Sequence, residues 1–120
     1  KAGKAHVVPL GPRALSIARA MKQRATGKLL FNGGVEDRPV SDTAMTKALR
    51  LASPDKSATL HGLRSTFRDW CGDKTTFERD VAEAALAHAV HNKVEAAYRR
   101  STALEKRREL MLAWEGYLNG

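Results

Sequence analysis

Apolar residues recur along most of this chain at the three-to-four-residue spacing of a helix buried on one side. Pro12, after Gly11, suits the first turn of a helix, and Leu15, Ala18 and Met21, with Ile17 beside them, form its stripe. Thr26-Gly27 ends it, with Gly27 predicted as a left-handed cap. Ser41-Asp42 reads as a helix start, a side-chain oxygen for orphan amides followed by negative charge at the positive helix end. Met45, Ala48, Leu49 and Ala52 continue that helix until Ser53-Pro54-Asp55 breaks it. Thr59 caps a helix predicted through about Cys71, with Leu60, Leu63, Phe67 and Trp70 or Cys71 on one face. After Thr75-Thr76, a helix is expected from Glu78 to Ala87, with Val81, Ala85 and Leu86 facing inward. A short helix fits residues 93–99. Thr102 and Glu105 have capping-box spacing for a last helix to about Leu118, with a buried stripe of Leu104, Met111, Trp114 and Leu118.

The start of the chain reads differently. His6-Val7-Val8-Pro9-Leu10 has the β-branched residues of a strand, stopped by proline. Leu29-Leu30-Phe31 is a short apolar run before the turn residues Asn32-Gly33-Gly34. The expected fold is mainly α with a small β element: about five or six helices and two or three short N-terminal strands. The expected core is Leu15, Leu49, Leu63, Phe67, Trp70, Val81, Leu86, Leu110 and Trp114. The stretches 32–40 and 53–58 read as loops within one domain spanning 1–120.

The 120 residues are 42% hydrophobic and 28% charged, the balance of a globular chain. Lys and Arg total 21 against 13 Asp and Glu, a formal net charge of +8, which favours a polyanionic partner. The first sixty residues carry 11 basic and 4 acidic side chains. A second basic cluster comprises Lys93, Arg99, Arg100, Lys106, Arg107 and Arg108. No apolar run approaches the roughly 20 residues of a membrane span. The single cysteine, Cys71, forbids an intrachain disulfide and a multi-cysteine zinc site. The chain opens without a secretory signal, so a cytoplasmic location is expected, with no membrane and no small-molecule ligand as partner.

Phosphate-binding glycine loops, paired metal-ligating histidines and the hydrolase nucleophile elbow are all absent from the sequence, so no cofactor or metal is expected. What the chain offers is strong donors. His61 and Arg64 are three residues apart, on one helix face. His88 follows Ala84 to Ala87 at a helix end. Tyr98 stands between Ala96-Ala97 and Arg99-Arg100. A guanidinium binds a phosphate oxygen bidentately, and imidazoles add hydrogen bonds as charge builds there. A phenol can attack phosphorus to give a phosphotyrosine, and a lysine can protonate the departing oxygen. Taken singly, each residue has a duller reading as a packing or surface group; His6, His91 and Tyr117 are read that way.

Four runs carry a family resemblance. His61-Gly62-Leu63-Arg64-Ser65-Thr66-Phe67-Arg68-Asp69-Trp70 resembles the second box of tyrosine recombinases, the prophage integrases in particular. Val81-Ala82-Glu83-Ala84-Ala85-Leu86-Ala87-His88 resembles their next box. Asn92-Lys93-Val94-Glu95-Ala96-Ala97-Tyr98-Arg99-Arg100 resembles the nucleophile segment, and His6-Val7-Val8-Pro9-Leu10 the second strand of the catalytic hairpin. The resemblance implies catalytic roles for Tyr98 as nucleophile, Arg64, His61 and His88 at the phosphate, and Lys1, in preference to Lys4, as the hairpin lysine. It implies double-stranded DNA as partner, a full-length protein tetrameric on DNA, and integration or excision of a phage or other mobile element.

The family's first arginine lies upstream of the hairpin and matches no residue of this chain, since Arg13, Arg19 and Arg24 follow the Val-Pro-Leu strand. The family's core-binding and arm-binding domains are also unmatched. The expectation is a carboxy-terminal part of the catalytic domain. Loss of one clamp guanidinium costs ~10²–10³ in rate, so the fragment is expected to fold but to be nearly inert alone. The rival readings are a non-catalytic helical DNA-binding module, supported by the net charge, and a protein-interaction domain presenting Leu104, Met111, Trp114 and Leu118.

Overall fold

The computed structural model describes residues 5–88 and 100–120. Five helices occur among them: α1 (Pro12–Arg24), α2 (Asp42–Ala52), α3 (Leu60–Lys74), α4 (Arg79–Ala85) and α5 (Arg100–Leu118). The chain divides into two compact units, one made of residues 1–13 with 67–120 and the other of residues 14–66. The helix predicted over 93–99 lies outside the described residues.

Local signals explain most of the boundaries. Pro12 opens α1, where its missing N–H costs nothing. Ser41 caps α2, its hydroxyl accepting the Ala44 N–H at 3.2 Å. At the other end of α2, the Ser53 N–H donates to the Leu49 carbonyl, and Lys56 Nζ donates to the carbonyls of Arg50 (2.8 Å) and Ser53 (2.9 Å). Thr59 Oγ1 accepts the Gly62 N–H at 2.9 Å and so starts α3. Three boundaries differ from expectation. α3 runs on to Lys74, α4 is confined to Arg79–Ala85, and α5 has begun by Arg100, which places Thr102 inside it and removes the expected capping box.

The expected strands are corrected: among the described residues there is no strand, only an isolated antiparallel bridge between Asn32 and Pro39. A strand exists only where a neighbour completes its ladder of hydrogen bonds. For His6–Leu10 no described residue does so. The Val7 carbonyl is taken instead by Arg107 Nη1 of α5 at 2.8 Å. Gly27 is corrected too, since it does not adopt positive φ. Among the described residues, the non-glycine ones that do are Asp37 and Ala87, each at φ 56°.

In the unit of 1–13 and 67–120, one helix face from each of three elements meets. Phe67, Trp70 and Cys71 of α3, Val81 and Ala82 of α4, and Leu110 of α5 are buried together. Phe77, Ala85, Leu86, Met111 and Trp114 pack against them. The rings form a network: Phe67 lies edge-on to Trp114 at 5.3 Å, and Trp70 is 4.9 Å from Trp114. Tyr117 stacks on Trp114 at 5.6 Å, the packing role read for it from the sequence. Glu115 of α5 accepts the Arg13 N–H at 2.8 Å, placing a carboxylate at the positive end of α1.

In the unit of 14–66 no residue is fully buried. Three expected core residues fall there and are corrected. Leu15 and Leu63 are exposed and Leu49 is half-buried. The helical stripe exists at these positions, but the unit supplies no second layer to cover it. Leu118, expected in the stripe of the last helix, is also exposed.

Candidate functional site

Each unit presents one group of polar side chains. In the unit of 14–66, Thr59 sets the first turn of α3, and His61 and Arg64 follow at positions one turn apart on one face. Both are exposed. α3 carries both residues, three positions apart.

In the other unit, three side chains converge. Arg68 of α3 donates from Nε to Glu83 Oε1 of α4 at 2.6 Å. The second carboxylate oxygen, Oε2, is hydrogen-bonded to His88 Nδ1. Arg68 and Glu83 are about a quarter exposed, at 29% and 26%, while His88 is half exposed at 50%. The bond from His88, and then that from Arg68, hold the Glu83 carboxyl below its ordinary value.

The backbone at this point is as specific as the side chains. Helix α4 ends with the Ala87 N–H on the Ala84 carbonyl (3.2 Å) and the His88 N–H on the Glu83 carbonyl (3.0 Å). That bond pair, with a left-handed residue between helix and exit, is a Schellman turn. The left-handed residue is Ala87 at φ 56°, where glycine is usual. Glu83 thus holds His88 twice, by its main-chain oxygen and by its carboxylate.

The remaining expected site residues, Tyr98 and Lys1, lie outside the described residues, as does His91. His6 is exposed. The described residues contain no group of three or more His, Cys, Asp or Glu able to hold a metal ion. None of their helices is long and apolar enough to cross a membrane.

The chain is 36% identical over 116 residues to prophage integrase IntA of Escherichia coli strain K12, a match covering 95% of this chain and 28% of the relative. The integrase of Enterobacteria phage P4 is 32% identical over 119 residues, covering 95% of this chain and 27% of the relative. Prophage integrase IntZ of E. coli K12 is 32% identical over 112 residues, 92% of this chain and 28% of the relative.

The chain is homologous to the prophage integrases.

The likeness to prophage integrases read from four runs of sequence is thus homology. This integrase homologue spans a little over a quarter of the length of the relatives it matches. No family model matches it, and no solved structure does. A match over 95% of the chain leaves only a few residues uncovered, so the stretch from His61 to Tyr98 falls within it. Sequence reasoning passed over two residues of the polar cluster, Arg68 and Glu83, although both stand in the quoted runs. The signal was an acidic residue in the last turn of a short helix, five positions before a histidine.

Proposed function

We propose that this chain is a catalytic part of an enzyme that cuts and rejoins DNA strands at specific sites. In this reading the Tyr98 hydroxyl attacks a backbone phosphorus and releases its proton to solvent. The bond from phosphorus to the 5′ oxygen breaks, a 3′-phosphotyrosyl bond forms, and the departing 5′ oxygen takes a proton from Lys1. Attack by the 5′ hydroxyl of another strand reverses the step and joins the ends. The phosphotyrosyl bond conserves the energy of the broken one, so no nucleotide cofactor is required. Arg64, His61 and His88 hold the phosphate oxygens as negative charge builds in the transition state.

The observation that carries this reading is kinship with integrases over 95% of the chain, across the stretch in which His61, Arg64, His88 and Tyr98 occur in order. The charge of +8 suits a double-stranded DNA partner. Two exposed donors on one face of α3 suit a phosphate approaching from solvent. Integration or excision of a mobile element, by a tetramer on two DNA sites, is the corresponding role of the full-length protein.

A nicked suicide duplex tests it. When the fragment beyond the cut diffuses away, a 3′-phosphotyrosyl adduct accumulates on the full-length protein. The wild type is expected to form the adduct. Tyr98→Phe is expected to abolish it while leaving DNA affinity nearly unchanged, since one hydroxyl is lost. An adduct with the Phe variant refutes the nucleophile, and DNA binding with no adduct from the wild type leaves the non-catalytic DNA-binding module as the better reading.

A further inference from the structure

We propose that Glu83 is a positioning residue for His88: its carboxylate, anchored by Arg68, holds the imidazole by Nδ1 and so presents Nε2 to the scissile phosphate. The inference rests on the strand-cleavage reading above and adds to it two residues, Glu83 and Arg68, with a division of labour between them.

A lone imidazole on an exposed chain segment turns about two side-chain bonds and interchanges its tautomers. Neither freedom suits a group that must meet a phosphate oxygen within hydrogen-bond distance. The structure removes both. The Schellman turn fixes the His88 backbone one residue beyond a strained Ala87, with the His88 N–H on the Glu83 carbonyl. The contact of His88 Nδ1 with Glu83 Oε2 then fixes the ring plane. A carboxylate only accepts, so Nδ1 must carry the proton, and Nε2 points away from Glu83 across the ring.

Glu83 would swing freely if its other oxygen were in water. Instead Oε1 takes the Arg68 Nε–H at 2.6 Å, from a helix whose next residues toward the core, Trp70 and Cys71, are buried. The order of attachment is therefore core, α3, Arg68, Glu83, His88. A left-handed alanine where glycine is usual is local strain that the surrounding bonds maintain, as at functional turns elsewhere.

The alternative is that Arg68–Glu83 merely ties α3 to α4 and His88 rests on it. Two measurements separate the readings. The first uses this chain without DNA: long-range ¹H–¹⁵N spectra of His88, recorded at a pH high enough for a neutral ring. The wild type is expected to show the Nδ1–H tautomer. Glu83→Ala is expected to shift His88 toward the Nε2–H tautomer that a free imidazole prefers. Glu83→Gln, whose amide oxygen still accepts, is expected to retain Nδ1–H. An unchanged tautomer in Glu83→Ala overturns the proposal.

The second measurement is adduct formation by the full-length protein on the suicide duplex. Glu83→Ala is expected to slow cleavage roughly 10²-fold, as His88→Ala does, with DNA affinity within about twofold of the wild type. The double variant is expected to be no slower than His88→Ala alone, because residues acting as one unit are non-additive. Multiplying effects in the double variant, or a tautomer shift without slower cleavage, overturn the positioning role. A wild type with the Nδ1–H tautomer but no adduct refutes the cleavage reading instead, so the two failures are distinct.

Discussion

The replacement of Leu110 by alanine, set beside the same replacement at Leu112, measures what the core contributes. Leu110 is the one described residue with a fully buried large side chain, at 0% exposure, while Leu112 is 47% exposed two positions along the same helix. Both substitutions change helix propensity equally, so their difference isolates burial. Removing a buried leucine costs about 2–5 kcal/mol, depending on how far the surroundings close on the void. Around Leu110 the cluster is rich in rings, Phe67, Trp70 and Trp114, whose mutual packing restricts such closure. That argues for the upper half of the range, about 3.5–5 kcal/mol. At about 4 °C per kcal/mol for a domain of this size, Tm should fall by roughly 14–20 °C. Leu112→Ala should cost under about 1 kcal/mol. The assay is urea and thermal unfolding followed by tryptophan fluorescence, since Trp70 and Trp114 both report on this core. Equal losses in the two variants, or a loss below about 1 kcal/mol for Leu110→Ala, would refute this account of the core.

Ala87→Gly relieves the left-handed alanine and should stabilise the protein by a few tenths to about 1 kcal/mol, read as a rise in urea midpoint; a clear loss would refute the Schellman assignment. Because Glu83 titrates below its ordinary value of 4.5 in the folded chain, its contribution is complete above that pH and is lost as pH falls through the folded value. The stability gap between wild type and Glu83→Gln should therefore shrink as pH falls below 4.5, and a constant gap would sink the assignment. Ser41→Ala should cost about 1 kcal/mol by removing the cap of α2, visible as reduced helical circular dichroism before the main transition. Burial pushes the Cys71 thiol up, so alkylation should be slow in the native chain and accelerate with unfolding; fast native labelling would contradict its place in the core.

The helices were legible in the sequence where a cap and a period agreed. Ser41 and Thr59 each announce a helix, and each side chain bonds the amide that its position predicts. Strands were not, because a strand's partner is distant in sequence. His6–Leu10 has suitable residues, yet among the described residues its carbonyl at Val7 is satisfied by a guanidinium on α5. Core membership was half legible. Leu15, Leu63 and Leu110 were all expected in the core, and which helix face gains a covering layer is decided by tertiary packing. Turn chemistry misled in one instructive way: glycine permits a left-handed residue without requiring one. The chain turns left-handed at Ala87 and not at Gly27, since the bonds of the Schellman turn hold it there.

The candidate site divides along the same line. Spacing alone put His61 and Arg64 on one face of α3, because residues three apart on a helix must be neighbours. Spacing could not reveal Glu83, whose reach to His88 depends on the turn at Ala87. The link from fold to chemistry runs through that turn. Val81 and Ala82, buried at 5% and 1%, seat α4 in the core. Glu83 is the next residue, on the helix rim, where Arg68 meets it. A partly exposed ion pair of this kind contributes little to stability by itself, about 0–1 kcal/mol. Its value is positional. Burial of the aromatic cluster supplies the energy that fixes α3 and α4, and the Arg68–Glu83–His88 chain converts that fixed backbone into a fixed imidazole. A core substitution that unseats α4 without unfolding the protein should therefore loosen His88 as surely as removal of Glu83 does.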